Sequence, residues 1–105
     1  MNINDYQKFA GKAIRPESEG KDPLVGFALG LAGECGEVVD SIKKKVYHGR
    51  IEEATSKEHM VEELGDVMWY VANLATTLGV SLEEVLDKNY EKLENRYKKL
   101  YEKEN

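Results

Sequence analysis

Two short words in the sequence carry acids at a spacing that can do chemistry. Glu34 and Glu37 stand three apart in Gly33-Glu-Cys-Gly-Glu-Val-Val39, and Glu63 and Asp66 stand three apart in Glu62-Glu-Leu-Gly-Asp-Val-Met68. Residues at i and i+3 project from the same side of a helix. Two such pairs on packed antiparallel helices would bring four carboxylates together, and that much like charge is repulsive without a cation. Hard oxygen donors suit Mg²⁺ or Mn²⁺, and Mg²⁺ is usually shared among a few carboxylates, waters and substrate phosphates. The competing reading is plain: a chain with 20 acids contains ExxE pairs that only solubilise a helix. Against it stand the match between the two words and the place of the acids on their helices.

Those helices follow from periodicity and caps. The pattern predicts an all-α chain of four helices and no strand. The first spans about Ile3 to Ile14, with Asn2 or Asn4 as cap, and Arg15 to Lys21 reads as a loop. Asp22-Pro23 opens the second, Asp as N-cap and Pro at the first helical position, and Gly49 stops it after Tyr47. Arg50 to Ala54 connect. The third begins at Thr55 or Ser56, with a Thr55-x-x-Glu58 capping box, and ends at Gly79. A second box, Ser81-x-x-Glu84, opens a fourth that runs into the charged C-terminus.

At about 100° per residue, Leu24, Phe27, Leu31, Cys35, Val38 and Ile42 form one stripe of the second helix. Leu64, Val67, Val71, Leu74 and Leu78 form that of the third. Glu34 and Glu63 fall at the edges of these stripes, with Glu37 and Asp66 further out on the same side, whereas purely solubilising acids belong opposite. Both acid pairs repeat at an interval of 29 positions, 63 − 34 and 66 − 37, which suggests a hairpin related by an approximate two-fold. Gly36 and Gly65, each costing about 1 kcal/mol of helix propensity, suggest close approach of another backbone.

Composition excludes other classes. A chain of 105 residues fits one domain, 1–105, and buries only about 60–65% of its unfolded surface, so helices with two apolar faces call for a partner subunit. A net charge of −5 argues against binding a nucleic-acid polymer. The single cysteine cannot form an internal disulfide. Met1 to Arg15 lack the apolar core of a signal peptide, and Val67 to Val80 are too short and too polar to span a bilayer. The expectation is a cytoplasmic protein with no membrane association.

Glu34-x-x-Glu37, 25 intervening residues and Glu63-x-x-Asp66 resemble the ExxE…ExxD signature of MazG-like nucleotide pyrophosphohydrolases. The words Leu31-Ala-Gly-Glu-Cys-Gly-Glu-Val38 and Glu62-Glu-Leu-Gly-Asp-Val-Met-Trp-Tyr70 are similar to that family, as is Asn89-x-x-Lys92-Leu93-x-x-Arg96-Tyr97. The resemblance implies a four-helix, mostly antiparallel bundle-like domain, dimeric or tetrameric. It also implies Mg²⁺, replaceable by Mn²⁺, held by Glu34, Glu37, Glu63 and Asp66, and hydrolysis of a nucleoside triphosphate to monophosphate and pyrophosphate in nucleotide-pool house-cleaning. Glu34 or Glu37 would accept the proton of the attacking water, with no ground to choose between them. Phosphoribosyl-ATP pyrophosphohydrolase shares the metal logic, but Gly65-Asp-Val-Met-Trp-Tyr70 is closer to MazG. A non-catalytic helical oligomer is the alternative from another class.

Weaker candidates complete the reading. Asn73 lies on the edge shared with Glu63, Asp66 and Tyr70 and is a candidate for sugar or phosphate, or else faces solvent or bridges helices. Lys92 and Arg96 offer cations, or form a solvated face. Asn89 is a weak ligand that would more often fix helix register. Lys44, within Lys43-Lys44-Lys45 and near Arg50, would steer the triphosphate or simply be solvated. His48 and His59 are read as surface residues and Cys35 as core. Trp69 and Tyr70 are read as core or subunit contact, with Tyr6, Phe9 or Trp69 as possible walls of a base pocket.

Overall fold

Each of the four longer helices begins where a short polar side chain can take up an orphan N–H. In a computed structural model describing residues 1–14, 22–49 and 55–102, α1 spans Ile3–Gly11, α2 Pro23–Tyr47, α3 Lys57–Leu78, α4 Leu82–Arg96 and α5 Lys98–Glu102, with no strand among them. Asn2, Asp22, Ser56 and Ser81 are the N-caps, each accepting a backbone hydrogen bond two or three residues on. The cap of α3 is Ser56, which accepts from the His59 N–H at 3.1 Å, and Thr55 is buried beside it. At the other end of α3, Gly79 adopts φ +77°. The Val80 N–H reaches the Ala75 carbonyl at 2.9 Å, closing a Schellman turn that only a left-handed residue allows. The expected stretches 15–21 and 50–54 lie outside the described residues, and with them Arg50.

Helices α2 and α3 form an antiparallel hairpin, since Gly30 meets Tyr70 while Ser41, further along, meets Glu63. Gly30 sets the close approach: a Cβ there would lie 2.1 Å from Tyr70 Cε1. Phe27, Trp69 and Tyr70 pack edge to face around this point, with centroids 5.0–6.5 Å apart. Gly36 and Gly65, expected to admit a backbone, have nothing within 4 Å of an added Cβ. They lie on exposed faces outside the hairpin interface; the close approach falls at Gly30 instead, and it is to an aromatic side chain, not to a backbone.

The other side of α3 packs on α1. Ala10, Ala72, Ala75 and Leu82 form the buried cluster, flanked by Ile3, Tyr6, Trp69, Val71 and Val80. Small side chains let α1 lie close, and Gln7 locks the corner: its amide donates to Thr76 Oγ1 (3.0 Å) and the Val80 carbonyl (2.9 Å) and accepts from the Leu82 N–H (2.8 Å). This packing corrects the stripe expected for α3: Leu64 and Leu78 are exposed while Ala72, Asn73 and Ala75 are buried. Cys35, expected in the core, is exposed in the single chain: Phe27, Gly30 and Ser41 are the α2 residues that meet α3, and Cys35 falls to one side of that line.

The four expected helices are present, yet one chain does not close them into a bundle. Among the described residues α4 touches α1 and α3 near its start and does not touch α2. It breaks at Tyr97 instead of running on as one helix. The radius of gyration is 17.1 Å, against about 13 Å for a compact chain of this length. Large apolar side chains stay in solvent on several helices, among them Leu29 (70% exposed), Val46 (69%) and Tyr90 (71%). No described helix is long and apolar enough to cross a membrane.

Candidate metal centre

The register fixed at Gly30 and Tyr70 carries the acids to one level of the hairpin. Glu63 is buried at 6% exposure, Glu34 is half-buried, and Glu37 and Asp66 are exposed. This ordering follows from their helix positions, the first acid of each pair facing the neighbouring helix and the second lying further out. Glu63 Oε1 accepts from Ser41 Oγ at 2.9 Å and is paired with His59 Nε2 at 2.6 Å. Its other oxygen, Oε2, is buried with no hydrogen-bond partner, and so is Oε2 of Glu34. Buried polar atoms are nearly always bonded, so two orphaned carboxylate oxygens on packed helices are an exception that calls for a ligand.

The other three acids lie close enough to Glu34 for their charges to act on it. Burial, and then the charges of Glu37 and Asp66, a hydrogen bond with Glu37 and the charge of Glu63, hold the Glu34 carboxyl above the ordinary carboxylate range. The Tyr6 hydroxyl from α1 is likewise pushed up, by burial and then by the charge of Asp66. An all-oxygen carboxylate set suits a hard divalent cation such as Mg²⁺. Among the described residues no three acid, histidine or cysteine side chains yet stand in a geometry that holds an ion. Glu37 and Asp66 are exposed, so the core does not fix their side chains.

The remaining candidates fall differently. Asn73 is 0% exposed and neither amide atom has a partner, so it neither faces solvent nor bridges helices by hydrogen bonds. Lys44 pairs with Asp40 of its own helix at 2.8 Å, a surface contact of little energetic weight. Asn89, Lys92 and Arg96 are exposed on α4, which has no contact with α2, so a single chain does not bring them to the acids of that helix. Phe9 is also exposed. His48 lies on the surface as expected, whereas His59 does not behave as a free surface residue, because it reaches the buried Glu63. The sequence reading missed Ser41 entirely. Its position one turn beyond Glu37 and two beyond Glu34 was the available signal.

Residues 26–101 match the family model of the MazG nucleotide pyrophosphohydrolase domain. The chain is 38% identical over 102 residues to the "Gene 37 protein" of Mycobacterium phage L5, covering 91% of this chain and 89% of that protein. It is 37% identical over 78 residues to the "Uncharacterized protein YvdC" of Bacillus subtilis (strain 168), covering 70% of this chain and 72% of that one. No solved structure gives a significant match.

Proposed function

Because the chain belongs to the MazG nucleotide pyrophosphohydrolase domain family, we propose that it hydrolyses a (deoxy)nucleoside triphosphate to the monophosphate and pyrophosphate, with Mg²⁺ held by Glu34, Glu37, Glu63 and Asp66. The observation that carries this reading is the pair of buried, unpartnered Oε2 atoms on Glu34 and Glu63. A bound divalent ion neutralises phosphate charge and makes water more acidic. The chain's own part is to orient and to move a proton. Glu34 or Glu37 accepts it from the water attacking the α-phosphorus, and the bond to the pyrophosphate oxygen breaks in line. Tyr6 lies near Asp66, and Asn73, on the edge of α3 shared with Asp66 and Tyr70, offers the nucleoside an amide that the fold leaves unsatisfied.

A second copy of the chain is part of this proposal. The exposed apolar side chains of α2 and α4, Leu29, Val46 and Leu86 among them, would be covered by it. Homodimers or homotetramers are the economical way to cover them. In such an assembly Asn89, Lys92 and Arg96 reach a substrate from the neighbouring copy. Removal of surplus or modified triphosphates in the cytoplasm is the role that fits. A panel of nucleotides assayed for released pyrophosphate with Mg²⁺, including phosphoribosyl-ATP, tests the activity. Turnover of triphosphates that disappears in both Glu63→Ala and Asp66→Ala, with helicity retained, supports it. Full activity in both variants excludes the site.

A further inference from the structure

We propose that Ser41 and His59 are positioning residues, a two-donor clamp that fixes Glu63 by one oxygen and leaves the other held out for the divalent ion. The inference rests on the reading of the four acids as an ion site and adds residues that the acid signature does not contain. Ser41 is buried on α2, and its Oγ–H donates to Glu63 Oε1 across the hairpin at 2.9 Å. His59 stands one turn before Glu63 on α3, and its Nε2 lies 2.6 Å from the same oxygen. The two donors come from different helices and meet on one atom, so the carboxylate cannot rotate without losing both bonds. The twin oxygen, Oε2, is sealed from solvent and receives nothing.

An ordinary i,i+4 pair on a helix surface has neither feature. Its carboxylate stays in water and exchanges its oxygens freely. Here the acceptor is buried, the donor set is split between the two helices that carry the acids, and only one of two equivalent oxygens is used. Partners that bond the far side of a ligating group fix its direction, and their loss typically weakens metal binding about 10–100-fold. The Ser56 cap helps to hold the clamp, since it bonds the His59 backbone N–H and so fixes the first turn of α3 from which the imidazole reaches.

The test is a Mn²⁺ titration of the nucleotide-free full chain, read by the loss of the free-ion electron paramagnetic resonance signal. Ser41→Ala and His59→Phe remove one donor each. Ser41→Thr keeps the hydroxyl, His59→Gln places an amide N–H near the original Nε2, and His59→Asn is too short to reach. The clamp predicts that Ser41→Ala, His59→Phe and His59→Asn each weaken Mn²⁺ binding about tenfold or more, while Ser41→Thr and His59→Gln stay close to wild type. All variants should keep wild-type helicity in chelator, Ala being favourable in a helix and His59 being partly exposed. Wild-type affinity in all three donor-removing variants overturns the clamp and leaves the ion site standing. Losses that merely follow lost helicity also overturn it. A wild-type chain that takes up no Mn²⁺ overturns the ion site, and the clamp with it.

Discussion

Replacing Gly30 by alanine tests the contact that sets the register of the α2–α3 hairpin and hence the level of the acids. An ideal Cβ at this position would lie 2.1 Å from Tyr70 Cε1, 2.5 Å from Cζ and 2.7 Å from Cδ1. The ring is not free to step aside, because Trp69 meets it edge-on at 5.0 Å and Phe27 lies at 6.5 Å. Overpacking of this kind costs about 1–3 kcal/mol, and three sub-van-der-Waals approaches put it at about the upper end. Ala in place of Gly inside a helix returns about 1 kcal/mol, leaving a net loss of about 2 kcal/mol. At about 4–8 °C per kcal/mol for a domain near this size, the melting temperature should fall by about 8–16 °C. In a Tyr70→Ala background the obstacle is gone, and Gly30→Ala should become stabilising by about 1 kcal/mol. The resulting coupling of about 3 kcal/mol is what directly touching residues give. Thermal unfolding of the four proteins by circular dichroism, at one protein concentration, measures it. A rise in melting temperature on Gly30→Ala with Tyr70 in place would refute the hairpin geometry.

Other expectations follow from single features. Asn73→Leu removes a buried amide with no partner, so stability should rise by about 1–3 kcal/mol while kcat/KM for the nucleotide falls; chemical denaturation and steady-state kinetics check the two halves. Glu34 has a raised carboxyl pKa, so between the ordinary carboxylate range and that raised value the folded chain binds more protons than the unfolded one. Stability in chelator should therefore fall as pH rises through this window and stay lower above it. Glu34→Gln should abolish that part of the fall, and melting curves from about pH 5 to about pH 7.5 would show a parallel response in both proteins if the reasoning is wrong. Leu29→Glu charges an apolar side chain that is 70% exposed in one chain. It should dissociate the proposed oligomer in light scattering, and an unchanged mass would remove α2 from the subunit contact.

Much of the molecule was legible because local rules agreed with one another. Asp22-Pro23, Ser81 and Gly79 bound their helices as the caps require, and the paired acids lie at the hairpin in the expected order of burial. What the sequence hid was mostly tertiary. Helix α3 packs on two neighbours, and its α1 side is built from Ala72, Ala75 and Thr76, residues too small to register as an apolar stripe. The contact made by Gly30 rather than Gly36 or Gly65 depends on where the Tyr70 ring falls, which periodicity does not fix. Ser41 and His59 are single polar residues whose meaning appears only when two helices bring them to one oxygen. The openness of the chain around α4 is likewise invisible in a helical pattern, because apolar positions look the same whether their own chain or another covers them.

Anomalous diffraction from crystals grown with Mn²⁺ would locate the ion itself. The expected result is a peak between α2 and α3 bonded to Oε2 of Glu34 and Oε2 of Glu63, with Glu37 and Asp66 swung in to complete the shell. Saturating Mn²⁺ with no peak there, or a peak that leaves both of those oxygens uncoordinated, would contradict it.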